Sequence, residues 1–135
     1  MNLAKQQWIL PLIFLISYQF MNGQSIDIQT IDGQTKTIAP KETHLYHLTI
    51  RKDEFAFMRF EQQGTDIGIR VKDPDGELLM QFDTDNGKQG PELVHVIPNQ
   101  DGVYQIEVQP LEEQKRKGNY TFHFDEKIKK ADTYA

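Results

Sequence analysis

The sequence contains no cysteine. Disulfide stapling, a lipidated N-terminal cysteine and a cysteine nucleophile are therefore excluded. Serine is almost as scarce, occurring only as Ser17 and Ser25 near the N-terminus, so a Ser–His–Asp arrangement has no serine within the body of the chain. The single tryptophan, Trp8, also lies in that first stretch. Tyr46, Tyr104 and Tyr120 stand at strand positions that suit core or rim, which lowers the expectation of an aromatic sugar-binding platform without excluding it. No phosphate-cradling G-x-x-x-x-G-K-[ST] loop is present.

Long hydrophobic runs are missing except at the start. Lys5 precedes the apolar run WILPLIFLISYQF, Trp8 to Phe20, and small and polar residues follow in MNGQS. This is the layout of a secretory signal peptide over residues 1–23, with cleavage after Gly23 or Gln24. Pro11, Ser17 and Gln19 interrupt the run, which is shorter than the ~18–20 apolar residues of a spanning helix. An uncleaved N-terminal membrane anchor is the alternative. The expected location is thus periplasmic or extracellular, with no membrane contact after cleavage.

Positive charge is in the minority. Fifteen Lys and Arg against twenty Asp and Glu leave a formal charge of −5. Losing residues 1–23, with Lys5 and no acid, makes the rest more negative by one. An acidic exported domain repels phosphate backbones and anionic lipid, so nucleic acid is not the expected partner.

What is present is β patterning. At 135 residues the chain has single-domain length, with roughly one domain per 100–200 residues. Past Gln24, apolar residues recur at every second position in SIDIQTI, HLYHLTI, DIGIRV, ELLMQF, ELVHVI, VYQIEVQP and NYTFHF. FAFMRFEQ is apolar on both faces at its start, as for a strand buried within a sandwich. Turn chemistry separates the runs: Asp73-Pro74-Asp75-Gly76 closes a hairpin, and Pro98-Asn99-Gln100-Asp101-Gly102 makes the next turn. The pattern predicts an all-β fold, an antiparallel jelly-roll-like β-sandwich of about eight strands over residues 24–126. Residues 127–135 read as a charged tail or linker.

Catalysis finds little support. His44 and His47 are three apart on a strand and point to opposite faces, and His95 and His123 lie far apart in sequence. Most acids sit in turns, where Asp bonds the local backbone. The sequence therefore predicts no catalytic residues and no cofactor, with a small hydrolase as the remote alternative.

Calcium is the sharper question, because hard cations take six to eight oxygens. The stretch DTDNGKQGPE, residues 83–92, carries the candidate ligands Asp83, Asp85, Asn86 and Glu92. Asp73 and Asp75 lie beyond the strand Glu77–Phe82, which spans roughly 20 Å, so they cannot join the same ion. An EF-hand register also fails, placing Lys88 at the glycine position and Val94 at the twelfth. Asn119-Tyr120-Thr121 matches the N-glycosylation acceptor pattern, and chance explains a three-residue match at a strand start.

The order YHLTI, EQQGTD, IRVKDPDGELL, FDTDNGKQGPE and DGVYQIEVQPLEEQKRKGNYTFHFDE resembles the bacterial pre-peptidase C-terminal (PPC-like) β-sandwich module. The likeness runs from about Lys41 to Glu126. Its most specific parts are Gln63-Gly64-Thr65-Asp66, Asp73-Pro74-Asp75-Gly76, Asn86-Gly87 with Gly90-Pro91-Glu92, and Gly118-Asn119-Tyr120. The variety it resembles stands near the N-terminus of exported multidomain proteins, ahead of peptidase, serine-hydrolase or repeat regions. The resemblance implies a jelly-roll-like sandwich without catalytic residues, accessory to secreted hydrolases. It also implies binding to other exported proteins or a cell-surface polymer, and some relatives bind calcium. The sequence up to Ala135 includes no recognisable catalytic domain, and a copy acting in trans or a remnant is the expectation. The motifs also suit backbone roles: Asp66 bonding neighbouring amides, Gly90-Pro91 ending the long loop, and Gly118 allowing a tight turn.

Overall fold

Alternation along each strand decides which side chains meet. In the computed structural model, which describes residues 25–129, Tyr46, Leu48 and Ile50 of one strand are buried while Leu45 and Thr49 face solvent. Nine strands result: β1 (Ile26–Asp27), β2 (Thr35–Ile38), β3 (His44–Ile50), β4 (Glu54–Gln63), β5 (Ile67–Lys72), β6 (Leu78–Phe82), β7 (Gln89–Val96), β8 (Gly102–Pro110) and β9 (Gly118–Lys129). They form a five-stranded sheet, β1-β3-β8-β5-β6, and a four-stranded sheet, β2-β9-β4-β7. The predicted antiparallel sandwich is the observed fold.

From β2 to β9 the chain is one long antiparallel ribbon wound around itself. β2 pairs with β9, β3 with β8, β4 with β7, and β5 with β6. The Asp73–Gly76 turn is the tip of that ribbon. Pairings of β4 with β9 and of β5 with β8 join successive windings into sheets. This is jelly-roll winding. Between the sheets lie Ile38, Met58, Phe60, Ile67, Ile69, Val71, Val96, Ile106 and Phe122, all essentially without exposed surface. Phe60 stacks at a tilt on Phe122, ring centroids 5.0 Å apart. Each fully buried side chain of this size contributes about 1.5–3 kcal/mol.

Four details depart from the sequence expectations. SIDIQTI is a strand only at Ile26 and Asp27, where β1 runs parallel to β3. The Asp27 carboxylate then accepts from Gln29 N at 3.0 Å and caps a 3-10 turn over Ile28–Ile31, a local bond that competes with continued pairing. Ile28 and Ile31, not Ile26, enter the core. β2 has no counterpart among the predicted runs, because only Ile38 of its four residues is buried. Phe55 and Phe57 of β4 are not enclosed: they point outward as an edge-to-face pair, centroids 5.4 Å apart. Finally, β9 does not stop at Glu126. Lys127, Ile128 and Lys129 pair with Ala56, Phe55 and Glu54 after a bulge near Phe57, so these three residues are strand rather than tail.

The signal-peptide expectation for residues 1–23 lies outside the described residues. Among the described residues no helix is long and apolar enough to cross a membrane.

Candidate functional site

Three carboxylates converge at one end of the sandwich. Asp66 stands just before β5, Asp83 just after β6, and Glu92 points inward from β7 in the other sheet. One oxygen of each lies within 4.8 Å of the others. The antiparallel β5–β6 hairpin does the assembling, since Ile69 pairs with Phe82 and the chain ends beyond them meet.

Of the four ligands proposed from DTDNGKQGPE, Asp83 and Glu92 belong to this carboxylate cluster and the carboxylate of Asp85 does not. Asn86 closes its own loop instead: Nδ2 donates to Pro91 O at 2.7 Å and Oδ1 accepts from Gln62 Nε2 at 3.0 Å. Asp85 is exposed. Glu92 is 1 % exposed and both its oxygens accept from Thr84 N, at 3.1 and 3.0 Å, with a further short bond from Thr84 Oγ1.

Asp66 differs from its expected role. Its carboxylate does not bond neighbouring amides: Oδ1 is enclosed and has no hydrogen-bond partner among the described residues. The backbone of Asp66 is what is anchored, its carbonyl accepting from Leu111 N at 2.9 Å and its N donating to Gln114 Oε1 at 3.4 Å. Burial, and then the charges of Asp83 and Glu92, push its carboxyl above the ordinary range. Self-repelling carboxylates with an unsatisfied oxygen fit a hard cation. Asp66, Asp83 and Glu92 would hold it.

The remaining motif residues act on the backbone. At the ribbon tip Gly76 adopts φ 84°, the left-handed conformation this turn needs, and its N donates to Asp73 O. Asp73 is the hub: Oδ1 accepts from Asp75 N and Glu77 N at 2.9 and 3.0 Å, and Oδ2 from Asn99 Nδ2 at 3.2 Å. The Asn99 bond, with those amides, holds its carboxyl below the ordinary range. Pro74 fills the space beside Gly102, where a Cβ would lie 2.6 Å from Pro74 Cγ. Gly64, Gly87 and Gly90 bracket the long connection with positive φ. Gly118 is not a turn glycine. It lets β9 pass against Thr65: a Cβ there would fall 2.6 Å from Thr65 Cγ2 and 2.8 Å from its N. Asn119, the glycosylation-pattern residue, accepts from Thr37 Oγ1 at 2.9 Å on the neighbouring strand.

Histidines fall in separate places. His44 and His47 do point to opposite faces of β3. His95 packs edge-on against Phe82, and His123 lies opposite Arg59. Two arrangements were not legible in the sequence. Ser25 Oγ lies 2.9 Å from His47 Nδ1, a serine–histidine pair on a half-buried edge, and no described carboxylate pairs with His47. Inside, a relay joins Glu42 to His44 (3.2 Å), His44 Nδ1 to Tyr120 OH (2.6 Å), and Tyr120 OH to Tyr46 OH (2.5 Å). The turn that sets Glu42, with Ala39 N donating at 2.7 Å, lowers its carboxyl; burial raises both phenols.

These features define a jelly-roll sandwich with a carboxylate cluster at one end. No protein-family model matches the chain, and no curated protein matches it at a significant level.

Proposed function

We propose that this chain is a non-catalytic exported β-sandwich module that binds other exported proteins or a cell-surface polymer, in the manner of accessory modules of secreted hydrolases. The observation that supports it is the outer face of the four-stranded sheet. The solvent side of an antiparallel sheet is ordinarily polar. Here Phe57, Leu93 and Ile97 are 41 %, 62 % and 51 % exposed, with Phe55 and Ile128 opposite one another beside them. His95 opposite Phe57 and Arg59 opposite Leu93 add polar groups to this face, and exposed apolar side chains grouped in this way mark protein contacts. The edge-to-face Phe55–Phe57 pair offers no flat platform for a sugar ring, which favours a protein on this face.

The test is capture from the producing cell's exported fraction, followed by rebinding of the captured protein in purified form. Phe57→Ser with Leu93→Ser should abolish rebinding while leaving the unfolding midpoint nearly unchanged. Undiminished rebinding would remove this face as the contact.

The orphan Asp66 oxygen favours a second reading, a calcium-stabilised module. Calcium held by Asp66, Asp83 and Glu92 would raise the unfolding temperature by several degrees at saturating ion. An identical midpoint in calcium and in chelator ends that reading.

A further inference from the structure

In this acidic chain, the positive charge of one loop is concentrated around a cavity. Lys115, Arg116 and Lys117 of the β8–β9 connection and Lys88 of the β6–β7 connection line a pocket of about 340 Å³, with Gln114, Glu113 and Gly64 completing it. None of the four cations forms an ion pair with a described residue. The loop is held from below: Gln114 is 8 % exposed, its N donates to Leu111 O at 3.0 Å, and its Oε1 accepts from Asp66 N. Lys88 is fixed on the other side by Gly64 N, which donates to its carbonyl at 3.0 Å.

We infer that this pocket is a binding site for the acid groups of an anionic polysaccharide. Four unpaired cations against one rim acid, Glu113, attract a ligand carrying several negative charges. What the pocket lacks selects among polyanions. Among the described residues no aromatic side chain lines it, so nucleic-acid bases would find nothing there to stack on. Among the described residues no apolar side chain lines it either, so a peptide would find no anchor there of the kind that dominates protein interfaces. Charge and hydrogen bonding alone remain, which suits sugar hydroxyls and sulfate or carboxylate groups. The volume lies within the range of small-ligand sites and accommodates an acidic monosaccharide unit.

The site is independent of the apolar outer face. Gln63, at one end of β4, pairs with Gln89 beside this pocket, while Phe55 and Phe57 lie toward the other end. Along β4, Phe57 and Phe55 stand roughly 20 and 26 Å from Gln63, and along β7 the outward-facing Leu93 stands roughly 13 Å from Gln89.

Calorimetric titration of the full chain in low salt tests the inference, with heparin as the sulfated probe, polygalacturonate as the carboxylated one and dextran as the neutral control. Polyglutamate and single-stranded DNA are the competing polyanions. At least one acidic polysaccharide should bind, dextran should not, and about 0.3 M salt should weaken binding by at least tenfold. Lys115→Ala with Arg116→Ala and Lys117→Ala should weaken it by about tenfold or more at an unchanged unfolding midpoint, and Lys88→Ala should weaken it in the same direction. Sulfated against carboxylated preference identifies the acid group. No binding of either polysaccharide, equal binding by the triple variant, or equally tight binding of polyglutamate or DNA would overturn the inference. Phe57→Ser with Leu93→Ser serves as the control: it should lose protein capture and keep polysaccharide binding, so either site can fail without the other.

Discussion

The hydroxyls of Tyr46 and Tyr120 meet at 2.5 Å inside the sandwich, one from each sheet. Tyr120 OH also lies 2.6 Å from His44 Nδ1, so its oxygen is the shared node. With Nε2–H of His44 donated to Glu42, Nδ1 accepts from Tyr120, and Tyr120 accepts from Tyr46. Removing the node and removing an end should therefore differ. Tyr46→Phe leaves Tyr120 bonded to His44 and should cost about 0.5–1.5 kcal/mol, whereas Tyr120→Phe orphans a buried hydroxyl and should cost about 1–3 kcal/mol. The double variant should cost less than the sum, because no unpaired hydroxyl remains. Denaturant unfolding of the three variants measures the coupling. Both phenols are raised by burial, so the stability they carry is present below the unfolded value of about 10 and lost as pH rises further. Their ionisation, followed by ultraviolet absorbance, should appear together with unfolding.

Gly118 and Gly64 separate two reasons for glycine. Gly118 has no positive φ, and its neighbour Thr65 occupies the space of a Cβ. Gly64 has φ 81° with nothing within 4 Å. Gly118→Ala should therefore destabilise by about 1–3 kcal/mol through overpacking, and asparagine there should be worse. Gly64→Asn should be mild, since asparagine tolerates the left-handed region, while Gly64→Val should be costly. Thermal midpoints of the four variants check the distinction.

That contrast also shows what the sequence carried. Alternation marked β3, β5, β8 and the inward half of β9 because each has a period of two with one buried face. It failed at β2, with one buried residue, and at Asp27, where a side-chain bond replaces ladder pairing. Gly118 was visible as a glycine, but the reason for it, contact with Thr65, is a tertiary fact. The carboxylate cluster was half legible. Asp73 and Asp83 are indeed at opposite ends of β6, yet the same hairpin pairing, carried to its far end, places Asp66 beside Asp83. Glu92 joins from the other sheet, and no local pattern records how two sheets stack. The cationic pocket needed the β6–β7 and β8–β9 connections brought together, which only jelly-roll winding supplies.

Asp66 should respond to pH in the unusual direction for a carboxylate. Its folded-state value is raised, by burial first and then by Asp83 and Glu92. Its favourable contribution is therefore fully present below the unfolded value of about 3.9 and lost as pH rises through the folded value. At neutral pH in chelator, Asp66→Asn should raise the unfolding midpoint. In calcium the same variant should lose the ion-dependent rise. Opposite signs in the two buffers come from the cluster alone. A lower midpoint in chelator would mean that Asp66 is held by bonds rather than repelled.

Asp73 should do the reverse, and the two residues can be read against each other in one pH series. Asn99 Nδ2 and the amides of Asp75, Gly76 and Glu77 lower its carboxyl. Its contribution is present above the unfolded value of about 3.9 and lost as pH falls through the lower folded one. Asp73→Asn should reduce the urea midpoint at pH 7 and flatten its decline below pH 4, because the carboxylate that acid would neutralise is already gone. Asp75→Asn removes only the exposed acceptor of Gln100 Nε2 and should leave the acid limb steep. If both variants keep that limb, protonation of Asp73 is not what loosens the ribbon tip in acid.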